Sequence, residues 1–309
     1  MDRLVRNILF LLTSTATVSG GIVHRYNFNG EGQVVVDSIG GADATLVGGA
    51  NLNNSGVIAL DGSNDLVKMP AGLISKLKNT TLETWVVWSG PATSSWQNIF
   101  LLGNGSNHYL YLSPRTSNSP RKVRFGISGG GAERKVNGKL QLPGDGVIRN
   151  HLAVSYDDDN NRVSLYIDGM LQSSTSTTIS LADIEDTENY LGKPLFNGFP
   201  YFKGRIEEFR IHDKALSAEK IKKSSDLGPD MLPGPIINLF QADSDVVRSN
   251  AEVALTWDVS SGAAVSIEPD ILQDGANTGS IKVNVAESTP FTLTATDEDG
   301  FRTSRILVV

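Results

Sequence analysis

The sequence predicts an all-β chain: an antiparallel β-sandwich with Greek-key or jelly-roll connections, followed by a second, smaller β-sandwich. Three observations carry this. From Ile22 to Ile211 apolar residues alternate with period two, interrupted by clusters of Gly, Asn, Asp and Ser. Glycine supplies 31 of 309 residues, as many short strands joined by tight turns require. The net charge of −7 is carried entirely by the C-terminal part, where eleven acidic residues from Asp243 to Asp299 face four basic ones. Residues 1–234 therefore balance to zero, and such a break marks two separately built domains.

The elements follow in chain order. Residues 1–20 read as a secretory signal peptide, with Arg3 and Arg6 before a short apolar run, Ile8–Leu12, and a small-residue tail ending near Gly20. The run is too short to span a bilayer, and no other stretch is longer. The expected location is therefore secreted, extracellular or cell envelope. The chain has no cysteine, which excludes a disulfide scaffold, a thiolate metal site and a cysteine nucleophile. An exported protein without cysteine fits a bacterial exterior. The negative balance argues against nucleic acid as a partner.

Residues 21–225 form the first expected domain. Its strands are predicted at His24–Asn27, Val57–Leu60, Leu66–Lys68, Thr81–Trp88, Gln97–Leu102, His108–Leu112, Lys122–Ser128, His151–Tyr156, Arg162–Ile167 and Arg205–His212. Asp168-Gly169 is a type I′ turn signal, so Arg162–Ile167 should pair with Met170–Ser174. Trp85 and Trp88 fall on opposite faces of their strand. A short helix is predicted after the last strand, capped by Ser217 and running through Ala218–Lys223. Residues 226–235, with Pro229, Pro233 and Pro235, read as a stiff linker. In residues 236–309, Val253, Leu255 and Trp257 alternate inward, as do Phe291, Leu293 and Ala295, and Asp299-Gly300 signals a turn. That size and spacing fit an immunoglobulin-like sandwich without its disulfide.

The first domain resembles the LamG-like jellyroll family, the laminin G/pentraxin-like branch of the concanavalin A-like lectin/glucanase superfamily. The residues that carry the likeness are IVHRYNFNG at 22–30, VVVDSIGGADATLVGGA at 34–50, LDGSNDLVKMP at 60–70, TLETWVVW at 81–88, HLAVSYDDDNNRVSLYIDG at 151–169 and GRIEEFRIHDKALSAEKI at 204–221. The second domain is similar to small bacterial Ig-like modules through VALTWDVSSGAAVSIEPDI. The combination resembles secreted proteins of planctomycete and verrucomicrobial groups.

The resemblance implies one structural Ca²⁺ near the ends of the first and last strands. The matching positions are Asp37, Asp43 in the glycine-rich loop after it, and Glu207 in GRIEEF. Glu207 stands where the family has Asp, and Asn29 where some relatives have Asp. The alternative is that Asp37 and Asp43 are turn residues and Glu207 a solvated strand carboxylate. Asp61 and Asp65 in LDGSND, and Asp157–Asp159, read as turn and loop chemistry.

Sugar recognition needs aromatic faces for the apolar side of the ring and polar groups for its hydroxyls. The candidates are Trp96 after PATSS, His108 and Tyr109 after GNGSN, and Phe199, Tyr201 and Phe202 in FNGFPYF. No catalytic residues are assigned. The paired carboxylates of a glycosidase are missing, since Glu83 is alone on its strand and adjacent Glu207 and Glu208 face opposite sides of a regular one. No nucleophile elbow or P-loop is present. The expected function is a non-catalytic secreted module that binds a polysaccharide or cell-surface glycan. Alternatives are a structural or adhesive protein with an extracellular protein partner, or a glycosidase fragment.

Overall fold

The computed structural model describes residues 21–90, 96–244, 247–260, 262–298 and 300–309. The signal-peptide expectation at 1–20 and Asp299 of the second turn lie outside the described residues. The described chain divides into two compact units, Gly21–Pro233 and Gly234–Val309. Among the described residues no helix is long and apolar enough to cross a membrane.

The first unit is an antiparallel jelly-roll sandwich. Its first sheet runs Ile22–Tyr26, Lys203–His212, Thr80–Trp88, Arg149–Asp157, Arg162–Ile167, Met170–Ser176, with Ile58–Asp61 also paired to Lys203–His212. Its second sheet runs Arg134–Asn137, Arg124–Gly129, His108–Ser113, Phe100–Asn104, Glu188–Leu191, Leu66–Met69, Ala44–Val47, Val34–Val35. The inward residues of both sheets form one core, in which Leu82, Val86 and Trp88 of the first meet Phe100, Leu102, Leu110 and Leu112 of the second. Phe209 joins the two layers, its ring 6.4 Å from that of Tyr26 and 5.7 Å from that of Phe100.

Most predicted strands are present with shifted ends. The expected Gln97–Leu102 strand is Phe100–Asn104, and Lys122–Ser128 is Arg124–Gly129. Short strands such as Ala44–Val47, Arg134–Asn137 and Glu188–Leu191 carry too few residues for alternation to reveal them. The Asp168-Gly169 turn has φ of 51° and 74°, as a type I′ turn requires of both central residues.

The one α-helix among the described residues, Ala218–Leu227, starts at Ser217, whose Oγ accepts from Lys220 N at 3.3 Å. It runs four residues beyond the expected Lys223. The chain after it is also not a free linker from 226. Asp230 N donates to Glu208 Oε2 at 2.8 Å, and the carbonyls of Asp230 and Met231 accept from Arg25 (3.1 Å) and Arg210 (2.9 Å). Helix and strap thus cover the outer face of the first sheet. Thr80–Trp88 is accordingly buried along its whole length, on both faces.

The second unit has a three-stranded sheet, Ile237–Ala242, Ala251–Val259, Thr278–Val285, and a four-stranded one, Leu272–Gly275, Ala263–Glu268, Pro290–Asp297, Arg302–Val308. Val253, Leu255 and Trp257 meet Phe291, Leu293 and Ala295 in a common core, as their alternation predicted. The indole of Trp257 donates to Ala276 O at 2.9 Å.

Candidate functional site

The outer face of the second sheet carries the site. Leu110 and Leu112 point into the core, so the intervening Tyr111 and the preceding Tyr109 point away from it. Direct pairing aligns Lys135, Gly126, Tyr111, Leu101 and Tyr190 in one row across five strands. Gly126 lies beneath the Tyr111 ring. A Cβ there would come within 2.5 Å of that ring, so only glycine lets the phenol lie flat on the sheet.

A cavity of about 340 Å³ opens over this row, lined by Trp96, Asn98, Tyr111, Arg124, Glu133, Lys135, Leu195, Phe196 and Phe199. Trp96 reaches it from the loop before Phe100–Asn104. Its φ of 66° is one that bulky residues avoid, so the surrounding contacts must hold it there. The Arg124 guanidinium lies 5.3 Å from the Trp96 ring centroid and donates through Nε to Asn137 Oδ1 at 2.8 Å. Phe196 and Phe199 meet edge to face at 5.8 Å and are both exposed on the rim. Tyr109 donates to Glu133 Oε2 at 2.8 Å, and Lys135 Nζ lies 3.4 Å from Glu133 Oε1. Burial, together with Glu133, pushes both the Tyr109 and Tyr111 phenols well above their ordinary range, so both stay neutral donors.

Of the six sequence candidates for ligand contact, Trp96 and Phe199 line this cavity. Tyr109 stands behind it, positioning Glu133. His108 does not join them: its Nδ1 lies 2.7 Å from Asp183 O, at the other end of its strand. Nor does Tyr201, whose carbonyl accepts from Gln97 Nε2 at 2.7 Å, nor Phe202, which is buried in the core between the sheets. Tyr111, Arg124 and Glu133 went unread in the sequence. For Tyr111 and Arg124 the signal is outward parity on strands, which appears only once the pairing register is known, while Glu133 precedes the strand Arg134–Asn137 and carries no such signal.

The calcium candidates do not assemble into a cation site. Both Asp37 oxygens are taken by N–H donors, from His24 Nδ1 (2.7 Å) and the backbone of Arg25 (2.9 Å), Ile39 (3.2 Å), Gly40 (3.0 Å) and Ala42 (3.0 Å). Burial pushes this carboxyl up, but the His24 contact and the backbone donors outweigh it and hold it well below its ordinary value. Asp43 accepts from Asp37 N at 2.9 Å, and Glu207 accepts from Arg149 Nη1 at 3.0 Å. Calcium wants six to eight oxygens, and here both Asp37 oxygens are occupied by donors while Asp43 and Glu207 each already accept one. Among the described residues no group of three or more Asp, Glu or His is arranged to hold a metal. The physical cause at Glu207 is a bulge: Ile206 pairs with Val86 and Glu208 with Trp85, leaving Glu207 unpaired between them.

Glu208 instead turns under the helix and strap into a second polar assembly. It accepts from Arg25 Nε at 2.8 Å and from Arg210 Nε, while Arg210 stacks 4.4 Å from the Trp85 ring centroid. Beside it, Glu83 bridges His151 Nε2 (3.1 Å) and His212 Nε2 (2.8 Å) and accepts from Ser224 Oγ at 3.2 Å. Burial pushes Glu83 up, but the two imidazoles prevail and hold it well below the carboxylate range. Glu83, Glu208, Arg210 and His212 are all fully buried, so this assembly holds the fold together and offers no surface to a ligand.

The concanavalin A-like lectin/glucanases superfamily model matches residues 61–222, more than half of the chain. The chain belongs to that superfamily. Among solved structures, this superfamily member is similar to domain 4 of AbnA, a GH43 extracellular arabinanase from Geobacillus stearothermophilus, in complex with arabinotriose. The TM-score is 0.52 at 21% identity, over 65% of this chain and 96% of the other. It is also similar to the binding domain of botulinum neurotoxin DC in complex with rat synaptotagmin II, with a TM-score of 0.54 at 10% identity, over 95% of this chain and 79% of the other. At these identities the likeness concerns the fold. Comparison with curated proteins finds no match to this chain.

Proposed function

We propose that the first unit is a secreted, non-catalytic module that recognises a polysaccharide or cell-surface glycan in the cavity over the second sheet. The observation that carries this reading is the convergence of four aromatic rings, Trp96, Tyr111, Phe196 and Phe199, with Arg124, Glu133 and Asn98 in one cavity. Such rings cover the apolar face of a sugar, while guanidinium, carboxylate and amide groups meet its hydroxyls. Glu133 is the one carboxylate among the lining residues. A glycosidase needs two, and the buried carboxylates Glu83 and Glu208 lie sealed on the other sheet. Arg3 and Arg6 ahead of the apolar run Ile8–Leu12 support reading the chain as exported. Two sheets packed on Trp257 support reading the second unit as an Ig-like module.

The test is a glycan array probed with the wild-type chain and with Trp96→Ala and Tyr111→Ala. Arabinan is the natural first probe, given the arabinotriose bound by the arabinanase domain of the same fold. The expected result is binding to at least one polysaccharide, lost in both variants while their circular dichroism stays native. Silence across the array, or binding indifferent to both substitutions, would overturn the reading.

A further inference from the structure

A second cavity of about 400 Å³ adjoins the first, lined by Leu101, Gly103, Ser106, Glu188, Lys193 and Asn197 among others. The two cavities share Leu195 and Phe196. Those residues are therefore a ridge between two compartments of one trough. The first compartment is rich in aromatic rings. The second is edged by a carboxylate, an ammonium, a hydroxyl and an amide.

The ridge is fixed by its neighbours. Asn98, buried beneath it, accepts from Leu195 N at 3.0 Å when its amide is turned so that Oδ1 faces the loop. Lys193 Nζ sits 3.8 Å from the Tyr190 ring centroid and anchors the start of the loop. Phe199 N donates to Phe196 O at 3.2 Å and closes it. The floor of the trough follows the pairing row from Lys135 through Tyr111 to Leu101, with Glu188 on the next strand. Five strands about 4.8 Å apart set a span of roughly 19 Å, several times the length of one sugar ring.

Resting on the proposed glycan reading, we infer that the ligand is a linear oligosaccharide segment that crosses the Leu195–Phe196 ridge and fills both compartments, not a single terminal sugar. One ring stacks among Trp96, Tyr111 and Phe199. Units further along present their hydroxyls to Glu188, Lys193 and Asn197. The trough walls carry both signs of charge, with Arg124, Lys135 and Lys193 against Glu133 and Glu188, which suits a chain of neutral sugars.

Isothermal titration with arabino-, xylo- and cello-oligosaccharides of two and six units tests this. In the series that binds, the six-unit chain should bind at least tenfold more tightly than the two-unit one. The double variant Glu188→Ala/Asn197→Ala should weaken six-unit binding at least fivefold and leave two-unit binding within twofold. Trp96→Ala should abolish both. Equal affinity for the two lengths, or a double variant indistinguishable from wild type, would overturn the two-compartment inference and leave the glycan reading standing. Failure of every series to bind would overturn the inference, and silence across the whole glycan array would overturn the glycan reading with it.

Discussion

Arg124 holds its guanidinium 5.3 Å from the centroid of the Trp96 ring, pinned from behind by Asn137. The pair places a fixed planar cation beside an aromatic wall. Lysine can restore the charge but neither the plane nor the fork of donors. Arg124→Lys should therefore weaken glycan binding by about 1 kcal/mol, close to fivefold, with the melting temperature nearly unchanged. Titration of both proteins with the best array ligand measures this, and an unaltered affinity would remove Arg124 from the recognition surface.

Gly126 offers a change that touches the site without removing any of its groups. A methyl at this position meets Tyr111 Cε1 at 2.5 Å and must lift the ring. The ring borders open space, so it can yield. Gly126→Ala should cost about 1–3 kcal/mol of stability and markedly weaken binding, readable by chemical denaturation and titration in parallel. Full affinity in this variant would show that the flat seat of Tyr111 is irrelevant to the ligand.

Glu208 neutralises the buried Arg210 and the half-buried Arg25 at once. Glu208→Ala leaves Arg25 and Arg210 facing each other with no counter-charge, and loss of one partner of a buried pair costs about 3–5 kcal/mol. Urea unfolding should show the first unit's transition moved to lower denaturant by that amount, while the second unit's stays in place. A shift below about 1 kcal/mol would mean that the assembly is as weakly coupled as a surface ion pair.

Acid should unfold the first unit through Asp37 and Glu83. Both carboxyls are held below their ordinary values of 3.8 and 4.5, so in acid the unfolded state binds more protons than the native one. Their stabilising contribution is complete above those ordinary values. It is lost as the pH falls past them toward the depressed native values, with the decline starting below about pH 5. Melting temperatures across this range should fall more gently in Asp37→Asn than in wild type. Parallel curves would deny Asp37 its share.

Chelation should do nothing. The Asp37 oxygens already accept five N–H donors, and Glu207 is engaged by Arg149. Calorimetry in EDTA and in millimolar Ca²⁺ should trace the same melting profile. A rise in melting temperature with calcium would show that the loop at 37–43 rearranges to admit an ion.

The sandwich was legible because alternation survives in long strands. Leu152, Val154 and Tyr156, or Val163, Leu165 and Ile167, declare their inward face without any partner. The groove was legible only through its loop aromatics, Trp96 and Phe199. Tyr111 sits in HYLYLS, where both parities are apolar or aromatic, so periodicity alone does not say which side meets water. At the glutamate pair, one bulged residue exchanged the two roles. Regular alternation cannot foresee a bulge, because its cause lies in the neighbouring strand and not in the local sequence. The polar layer around Glu83 was hidden for a related reason. His151, His212 and Arg210 come from two other strands, and a helix had to close over them before they became interior.

The strap after the helix has a mechanical consequence. Pulling on the chain beyond Pro233 does not begin to unravel Ala218–Leu227 directly. The load meets Asp230 and Met231 first, and they pass it through Arg25, Glu208 and Arg210 into Ile22–Tyr26 and Lys203–His212, two hydrogen-bonded neighbours in the first sheet. Three attachments share the tension side by side, so they must yield nearly together, and the helix behind them acts as slack that is released only after they break.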